Sequence, residues 1–325
     1  MQVSGDLIYY PDSQPGISRL RHGRGFRYLA PDGTSIDNGA ERDRIKALAV
    51  PPAYDDVWIC PKPLGHLQAT GRDERKRKQY RYHPDWRAMK EAQKYDKLAA
   101  FGAVLPKIRR AVLRDLKGEA GELQFAVAAV IAMIDRLSMR VGHAEYTAEN
   151  GSYGATTLRT RHVSLQDGAI RLDYTAKGGK QRRTTLQDKT LFRVLDQLHD
   201  LPGRELVTWL DDDGKPQSVT SDRINARLSE MAGTAGITAK TFRTWSGSEA
   251  ALDALMRVGK PTIKSLSEAA AARLGNTPTI ARNSYIHPAI IDLVDDPDTV
   301  KGLTRNLPDV TGLRQTERAL LKLLG

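Results

Sequence analysis

The sequence predicts an α+β protein in two parts: a small antiparallel β-rich domain over residues 1–88, and a larger, mostly α-helical domain over residues 89–325 that carries a three-stranded β meander. Three observations predict it. Up to about residue 86, short strand-like runs alternate with turn dipeptides. From Pro84 onward the apolar spacing changes to the helical period, returning to alternation only between residues 162 and 186. A chain of 325 residues also exceeds what one compact core usually holds.

Taken in order, FRYLAPDGTSI predicts a hairpin through Asp32-Gly33, and HLQATGRDERKRKQYRYH two strands around a charged loop. A helix is expected from Pro84 to about Lys117, with Asp85 as N-cap and Ile108, Val112 and Leu116 on one face. ELQFAVAAVIAMIDRLSMRVGH is apolar on nearly every side, which fits a helix at the centre of the larger domain, ending at Arg140-Val141-Gly142. HVSL, IRLDY and QRRTTL then form the meander, turning at Gln166-Asp167-Gly168 and at AKGGK, so that Lys177 sits at a hairpin tip. Helices are expected near 188–200, 221–233, 239–257 and 262–274, with a polar loop at Asp211-Asp212-Asp213-Gly214. Thr277-Pro278 reads as an N-cap followed by proline at the first helical position, which places Tyr285 on a short helix ending before His287-Pro288. TERALLKLLG completes the chain as an amphipathic helix.

Lysine and arginine number 50 against 39 acidic residues, a formal charge of +11, which points to a polyanionic partner and to nucleic acid first. Cys60 is the only cysteine, so the chain holds neither a disulfide framework nor a thiolate metal cluster of its own. The longest apolar run, Phe125 to Ile134, is far below the roughly 20 residues that cross a bilayer. With no basic-then-apolar export signal, a soluble, cytoplasmic protein is expected.

Two regions carry candidate chemistry. GRDERKRKQYRYHPDWR packs Arg72, Arg75, Lys76, Arg77, Lys78, Arg81 and Arg87 around Tyr80 and Tyr82. Strand alternation puts both tyrosines on the face of Lys78 and turns Gln79 the other way, where its amide reaches toward a base edge. A solvated basic loop is the plainer alternative. Further along, MRVGHAEY sets Arg140 near a glycine, where its planar fork suits a phosphate, although a helix-end arginine also commonly meets the helix dipole. TAKGGKQRR puts Lys177 and Lys180 in a glycine-rich hairpin. KTFRTW places Lys240 and Arg243 three apart on one helical face, and GNTPTIARNSY holds Asn276 and Tyr285 nine apart.

An ordered arginine, a lysine in a hairpin, Lys-x-x-Arg, Gly-(His or Asn)-Thr-Pro, and a tyrosine nine residues on together resemble the active-site sequence of type IB DNA topoisomerases. The likeness is to their compact poxvirus-like and bacterial branch, whose catalytic domain is shared with tyrosine recombinases. It runs over most of the chain and includes GHLQATGRDERKRKQYRY, similar to that branch's DNA-clamping β domain. The resemblance implies that Tyr285 is the nucleophile, that Arg140, Arg243 and Asn276 hold the phosphate, and that Lys177 protonates the leaving oxygen. DNA contacts are expected at Arg72, Lys78, Gln79, Tyr80, Tyr82, His143, Tyr146 and Lys240. The resemblance further implies a monomer clamping supercoiled duplex DNA at the nucleoid, with neither ATP nor an obligatory metal.

The chemistry fits those groups. A phosphodiester is anionic with a poor alkoxide leaving group, so cleavage needs positive donors on the non-bridging oxygens and an acid at the leaving oxygen. A phenol of pKa about 10 is only about one part in a thousand ionised at neutral pH, a deficit of roughly 4 kcal/mol that nearby guanidinium charge reduces. Guanidinium and ammonium groups also do the neutralising that Mg²⁺ does elsewhere, and His143, His162 and His287 show no ligand spacing. Asn276 departs from the histidine of poxvirus-type enzymes: an amide donates a hydrogen bond but does not titrate. His143 stands where the viral branch has lysine, while Tyr146 keeps the family's aromatic. Two other readings stay open. Tyrosine recombinases usually show His-x-x-Arg where this chain has Lys240-Thr-Phe-Arg243, and a DNA-binding protein without catalysis is the third.

Overall fold

The computed structural model describes residues 6–325, with Ala235, Val258 and the side chain of Tyr146 excepted. The fold is α+β, and the chain divides into two compact units, Met1–Gln93 and Lys94–Gly325.

The first unit is built on a five-stranded antiparallel sheet. Its strands are β1 (Ile17–His22), β2 (Gly25–Leu29), β3 (Asp55–Ile59), β4 (Leu67–Arg72) and β5 (Lys78–Tyr82), in the order β2-β1-β3-β4-β5. Helix α1 (Gly39–Ala47) contributes Ile45 to a small core with Ile17, Val57, Ile59 and Ala69. The expected β4–β5 pair forms around its charged loop. The hairpin expected at Asp32-Gly33 is reduced to a turn closed by a single Leu29–Ser35 bridge. The full ladder lies earlier, between β1 and β2, where His22 pairs with Gly25 and Gly23 takes φ +55° in the two-residue loop. Without a strong turn dipeptide, that hairpin left no clear mark in the sequence.

Helix α2 (Pro84–Asp115) starts one residue before the expected cap. His83 Nδ1 accepts from the Asp85 amide at 3.2 Å, so His83 closes the helix start and Asp85 sits in its first turn. In the second unit, Ile108, Val112 and Leu116 are buried as their spacing requires. They pack into one core with α3 (Leu123–Leu137), whose residues from Phe125 to Ile134 are all buried.

After α4 (Ala144–Asn150), β6 (Val163–Gln166), β7 (Ala169–Ala176) and β8 (Lys180–Gln187) form the meander in sequential order. Helix α5 (Lys189–His199) is capped by Asp188, which accepts from the Leu191 amide at 2.9 Å. The polar loop at Asp211 to Gly214 is the tip of a small ladder between β9 (Thr208–Leu210) and β10 (Pro216–Ser218) that three-residue strands left illegible. Helices α6 (Ser221–Ala232), α7 (Ala239–Arg257), α8 (Ile263–Leu274), α9 (Pro278–Tyr285), α10 (Pro288–Asp292), α11 (Pro297–Gly302) and α12 (Gln315–Leu324) follow.

Helix α7 is buried along most of its length and is the axis of this unit. Trp245 on α7 packs where α2 has Gly102, since a Cβ there would lie 2.4 Å from the indole ring. The indole N–H donates to Glu317 of α12 at 3.3 Å, and Arg109 pairs with both Glu317 and Asp135 at 2.8 Å. Burial pushes the Glu317 carboxyl upward, but hydrogen bonds and charge from Arg109, with the charge of Arg314, outweigh it and hold the group at about 2. No helix among the described residues is long and apolar enough to cross a membrane.

Candidate active site

A helix leaves its last four carbonyls without partners inside the helix. At the end of α8 all four are taken. The amides of Gly275 and Asn276 bond to Ala271, Arg182 of β8 donates to Ala272 at 3.1 Å and to Arg273 at 2.7 Å, and Arg243 of α7 donates to Leu274 at 3.1 Å. Arg243 also donates to the carbonyl of Ser138, just beyond the end of α3. One buried guanidinium thus ties together the ends of two helices. Burial, reinforced by the positive charge of Arg140, depresses Arg243 to about 10, while the neighbouring Tyr285 phenol works against the shift.

Arg140 is not on a helix end. Helix α3 stops at Leu137 because Ser138 takes a left-handed conformation, φ +52°. The apolar run alone concealed that break, and the chain continues without regular secondary structure through Arg140. That stretch pairs with a second loop: Ala155 donates to the Arg140 carbonyl and Thr156 to that of Val141, both at 2.8 Å. The two backbones approach so closely that a Cβ on Gly154 would lie 2.6 Å from Gly142 Cα.

The Arg140 side chain donates to Oδ1 of Asn276. Because a guanidinium only donates, this fixes the amide with its oxygen toward Arg140 and its NH₂ turned away. Asn276 Nδ2 and Arg243 Nε are both buried with no hydrogen-bond partner. Buried donors are ordinarily satisfied, so two orphaned donors beside a guanidinium form a cradle for the oxygens of an anion.

Tyr285 is the last residue of α9, whose start is set by Thr277 accepting from the Ile280 amide at 3.3 Å and by Pro278. The Arg243 guanidinium carbon lies 5.3 Å from the centroid of its half-buried ring. Two neighbours on α7 hold this residue in place. A Cβ on Gly247 would come within 2.9 Å of Tyr285 Cβ and its carbonyl oxygen, so the helices touch backbone to backbone. Ser248 Oγ donates to the Tyr285 carbonyl at 3.1 Å and accepts from the His287 amide at 3.0 Å.

The structure therefore gathers Arg140, Arg243, Asn276 and Tyr285 into one site. Lys177 lies at the exposed tip of the β7–β8 hairpin, followed by Gly178 and Gly179 at φ +81° and +75°. Lys240 stands one turn before Arg243 on α7, exposed at the helix start, whereas Arg243 is buried. His143 is exposed ahead of α4, and the side chain of Tyr146 lies outside the described residues. No side-chain spacing in the sequence marks Arg182, Gly247 or Ser248. Their work is done through main-chain carbonyls and close backbone approach, and the only outward signal was a glycine inside a helical pattern.

In the first unit, Lys78, Tyr80 and Tyr82 share the exposed face of β5, and the two tyrosine rings stack with centroids 6.1 Å apart. Lys78 pairs with Asp12 at 2.5 Å. Gln79 faces the other way as alternation requires, but its amide donates to Asp73 at 3.0 Å instead of projecting outward. Asp73 organises the charged loop there and also accepts from Arg77 at 2.9 Å. Arg72 donates to the Lys76 carbonyl at 2.9 Å.

Comparison with known proteins places these groups in a family. Residues 83–284 match the family of the eukaryotic DNA topoisomerase I catalytic core, and residues 25–73 match the bacterial DNA topoisomerase IB N-terminal domain. DNA topoisomerase 1B of Acanthamoeba polyphaga mimivirus is 28% identical over 293 residues, covering 86% of this chain and 87% of the viral one. DNA topoisomerase 1B of vaccinia virus (strain Copenhagen) is 22% identical over 257 residues, 75% of this chain and 76% of that protein. Among solved structures, the XerH site-specific recombinase bound to its difH substrate aligns with 61% of this chain and 52% of its own, at a TM-score of 0.39 and 16% identity. The chain belongs to the type IB DNA topoisomerase family, isomerases that act on DNA. The catalytic-core match ends one residue before Tyr285, whose placement rests on the geometry above.

Proposed function

We propose that this topoisomerase relaxes supercoiled duplex DNA by cutting one strand with Tyr285 and resealing it. The phenolic oxygen attacks the scissile phosphorus and loses its proton to solvent as the bond to the 5′-oxygen breaks. Lys177 delivers a proton to that oxygen, giving a 5′-hydroxyl and a 3′-phosphotyrosine. Arg140, Arg243 and Asn276 hold the non-bridging oxygens throughout. Because the new ester conserves the energy of the old bond, the 5′-hydroxyl reverses the step after the duplex has rotated. The scheme uses neither ATP nor a metal ion.

In this reading residues 1–88 clamp the duplex, with Arg72, Lys78, Tyr80 and Tyr82 on the DNA side and Gln79 reaching a base edge on release from Asp73, and residues 89–325 carry the chemistry, with His143 and Lys240 against phosphates. The enzyme acts as a monomer on the bacterial nucleoid, in the cytoplasm. One observation carries the proposal: the buried, unpartnered donors Arg243 Nε and Asn276 Nδ2 stand in the same site as the Tyr285 ring.

The test is relaxation of positively and negatively supercoiled plasmid in EDTA without ATP, by wild type and Tyr285→Phe side by side. Wild type is expected to relax both substrates and the variant neither. Relaxation by Tyr285→Phe removes the nucleophile assignment. Strand exchange confined to paired matched sites, without relaxation, replaces the reading with a recombinase.

A further inference from the structure

Arg182 joins two parts of the site that the chain itself keeps far apart. It stands on β8 opposite Tyr174, two rungs below the Ala176–Lys180 pair that closes the hairpin carrying Lys177. Its guanidinium reaches out of the sheet to the carbonyls of Ala272 and Arg273, at 3.1 Å and 2.7 Å, immediately before the Gly275-Asn276 turn. Gly275 has φ +64°, and a Cβ there would lie 2.6 Å from Arg182 Nη1, so the turn is shaped around this side chain. The same guanidinium lines a recess with Arg140, Arg243 and Tyr174. Strand β7 is fastened separately, by the Tyr153 amide donating to Thr175 at 2.8 Å. Beyond these two anchors the hairpin ends in the exposed Lys177-Gly178-Gly179 tip, whose two glycines add no side-chain restraint.

We propose that Arg182 is a positioning residue that holds the Lys177 hairpin in register with the Asn276 turn, so that acid and phosphate cradle meet the same phosphodiester. An arginine at a helix C-terminus also stabilises that helix by charge alone. The two functions separate by which atom of the reaction suffers when Arg182 is lost. A helix cap affects every substrate equally, whereas a misplaced acid affects only a leaving oxygen that needs a proton. The inference rests on the assignment of Lys177 as that acid.

Single-turnover cleavage is compared on a normal duplex and on one with a 5′-bridging phosphorothiolate, whose thiolate leaves without protonation. Arg182→Ala is expected to slow cleavage of normal DNA by roughly 10- to 100-fold, below the 10²- to 10⁴-fold typical of losing a general acid. The thiolate should bring it back to within about threefold of wild type. Lys177→Ala should show the larger defect and the same rescue, and Arg182→Ala/Lys177→Ala should be no slower than Lys177→Ala alone. Arg182→Lys, whose single ammonium matches two carbonyls poorly, should give a smaller defect with the same rescue, and it carries the test if the alanine variant does not fold. Rescue of Lys177→Ala without rescue of the Arg182 variants, or Arg182 variants as fast as wild type, overturns the positioning role alone. Failure to rescue Lys177→Ala removes the acid assignment and the inference with it.

Discussion

The Ser248 hydroxyl donates a hydrogen bond to the main-chain carbonyl of Tyr285 at 3.1 Å. Helix α9 ends at that residue, and the amide two residues along, that of His287, closes the arrangement by donating back to Ser248 at 3.0 Å. The backbone carrying the phenol is thereby fixed from α7. We predict that Ser248→Ala slows covalent adduct formation by up to about thirtyfold, the loss of two hydrogen bonds of about 1 kcal/mol each, with duplex affinity unchanged. Single-turnover cleavage and equilibrium binding of the same oligonucleotide measure the two. An unchanged rate would mean that the contact at Gly247 suffices to hold the residue.

Asn276 presents an amide donor that carries no proton equilibrium of its own. Asn276→Ala, which removes that donor and the partner of Arg140, should lower the cleavage rate on the order of 10²-fold. Asn276→His should keep activity and gain a pH dependence that wild type lacks, within the range of about pH 5 to 8, with the rate rising toward acid as the imidazole charges. Cleavage rates of wild type and Asn276→His across that range decide the matter, and parallel profiles contradict it.

A phosphate that approaches Lys78 meets the Asp12 carboxylate paired with it at 2.5 Å, which both competes for the ammonium and repels the anion. Asp12→Asn should therefore tighten duplex binding, and Lys78→Ala should weaken it and reduce the slope of log affinity against log salt by up to about 0.9. Binding isotherms at several salt concentrations read both. Identical slopes for wild type and Lys78→Ala would place Lys78 away from the DNA backbone.

Glu317 is held at about 2 in the folded chain, below its ordinary 4.5, by Arg109 and Arg314 acting against its burial. A carboxylate with a depressed folded value stabilises fully above the unfolded value, and that contribution is lost as pH falls through the folded one. Glu317→Gln should thus be less stable than wild type at neutral pH by on the order of 3 kcal/mol, with the gap narrowing between about pH 4.5 and pH 2. Urea unfolding across that interval is the measurement, and a constant gap would sink the electrostatic account.

What the sequence disclosed depended on range. The buried α3, the β6–β8 meander and the Thr277-Pro278 start of α9 are local patterns of apolar period, turn dipeptides and capping residues, and they appear where those patterns put them. So do the alternating faces of Lys78, Tyr80 and Tyr82. The errors fall where a long-range partner decides. Helix α3 breaks early at the left-handed Ser138, whose carbonyl bonds Arg243 more than a hundred residues away, and so Arg140 leaves the helix. Arg182 and Ser248 act on carbonyls, which every residue possesses, so no side-chain spacing announces them.

The end of α8 gives Arg243 two masters. It completes the helix by bonding Leu274 and anchors α3 through Ser138, while its remaining buried nitrogen faces the site without a partner. A lineage that relinquished DNA cleavage would therefore be under pressure to keep this arginine for the sake of the scaffold alone. Its presence in a distant relative is weak testimony of activity, whereas Tyr285, whose phenol no helix end depends on, is the position at which a silent descendant would first show its change of trade.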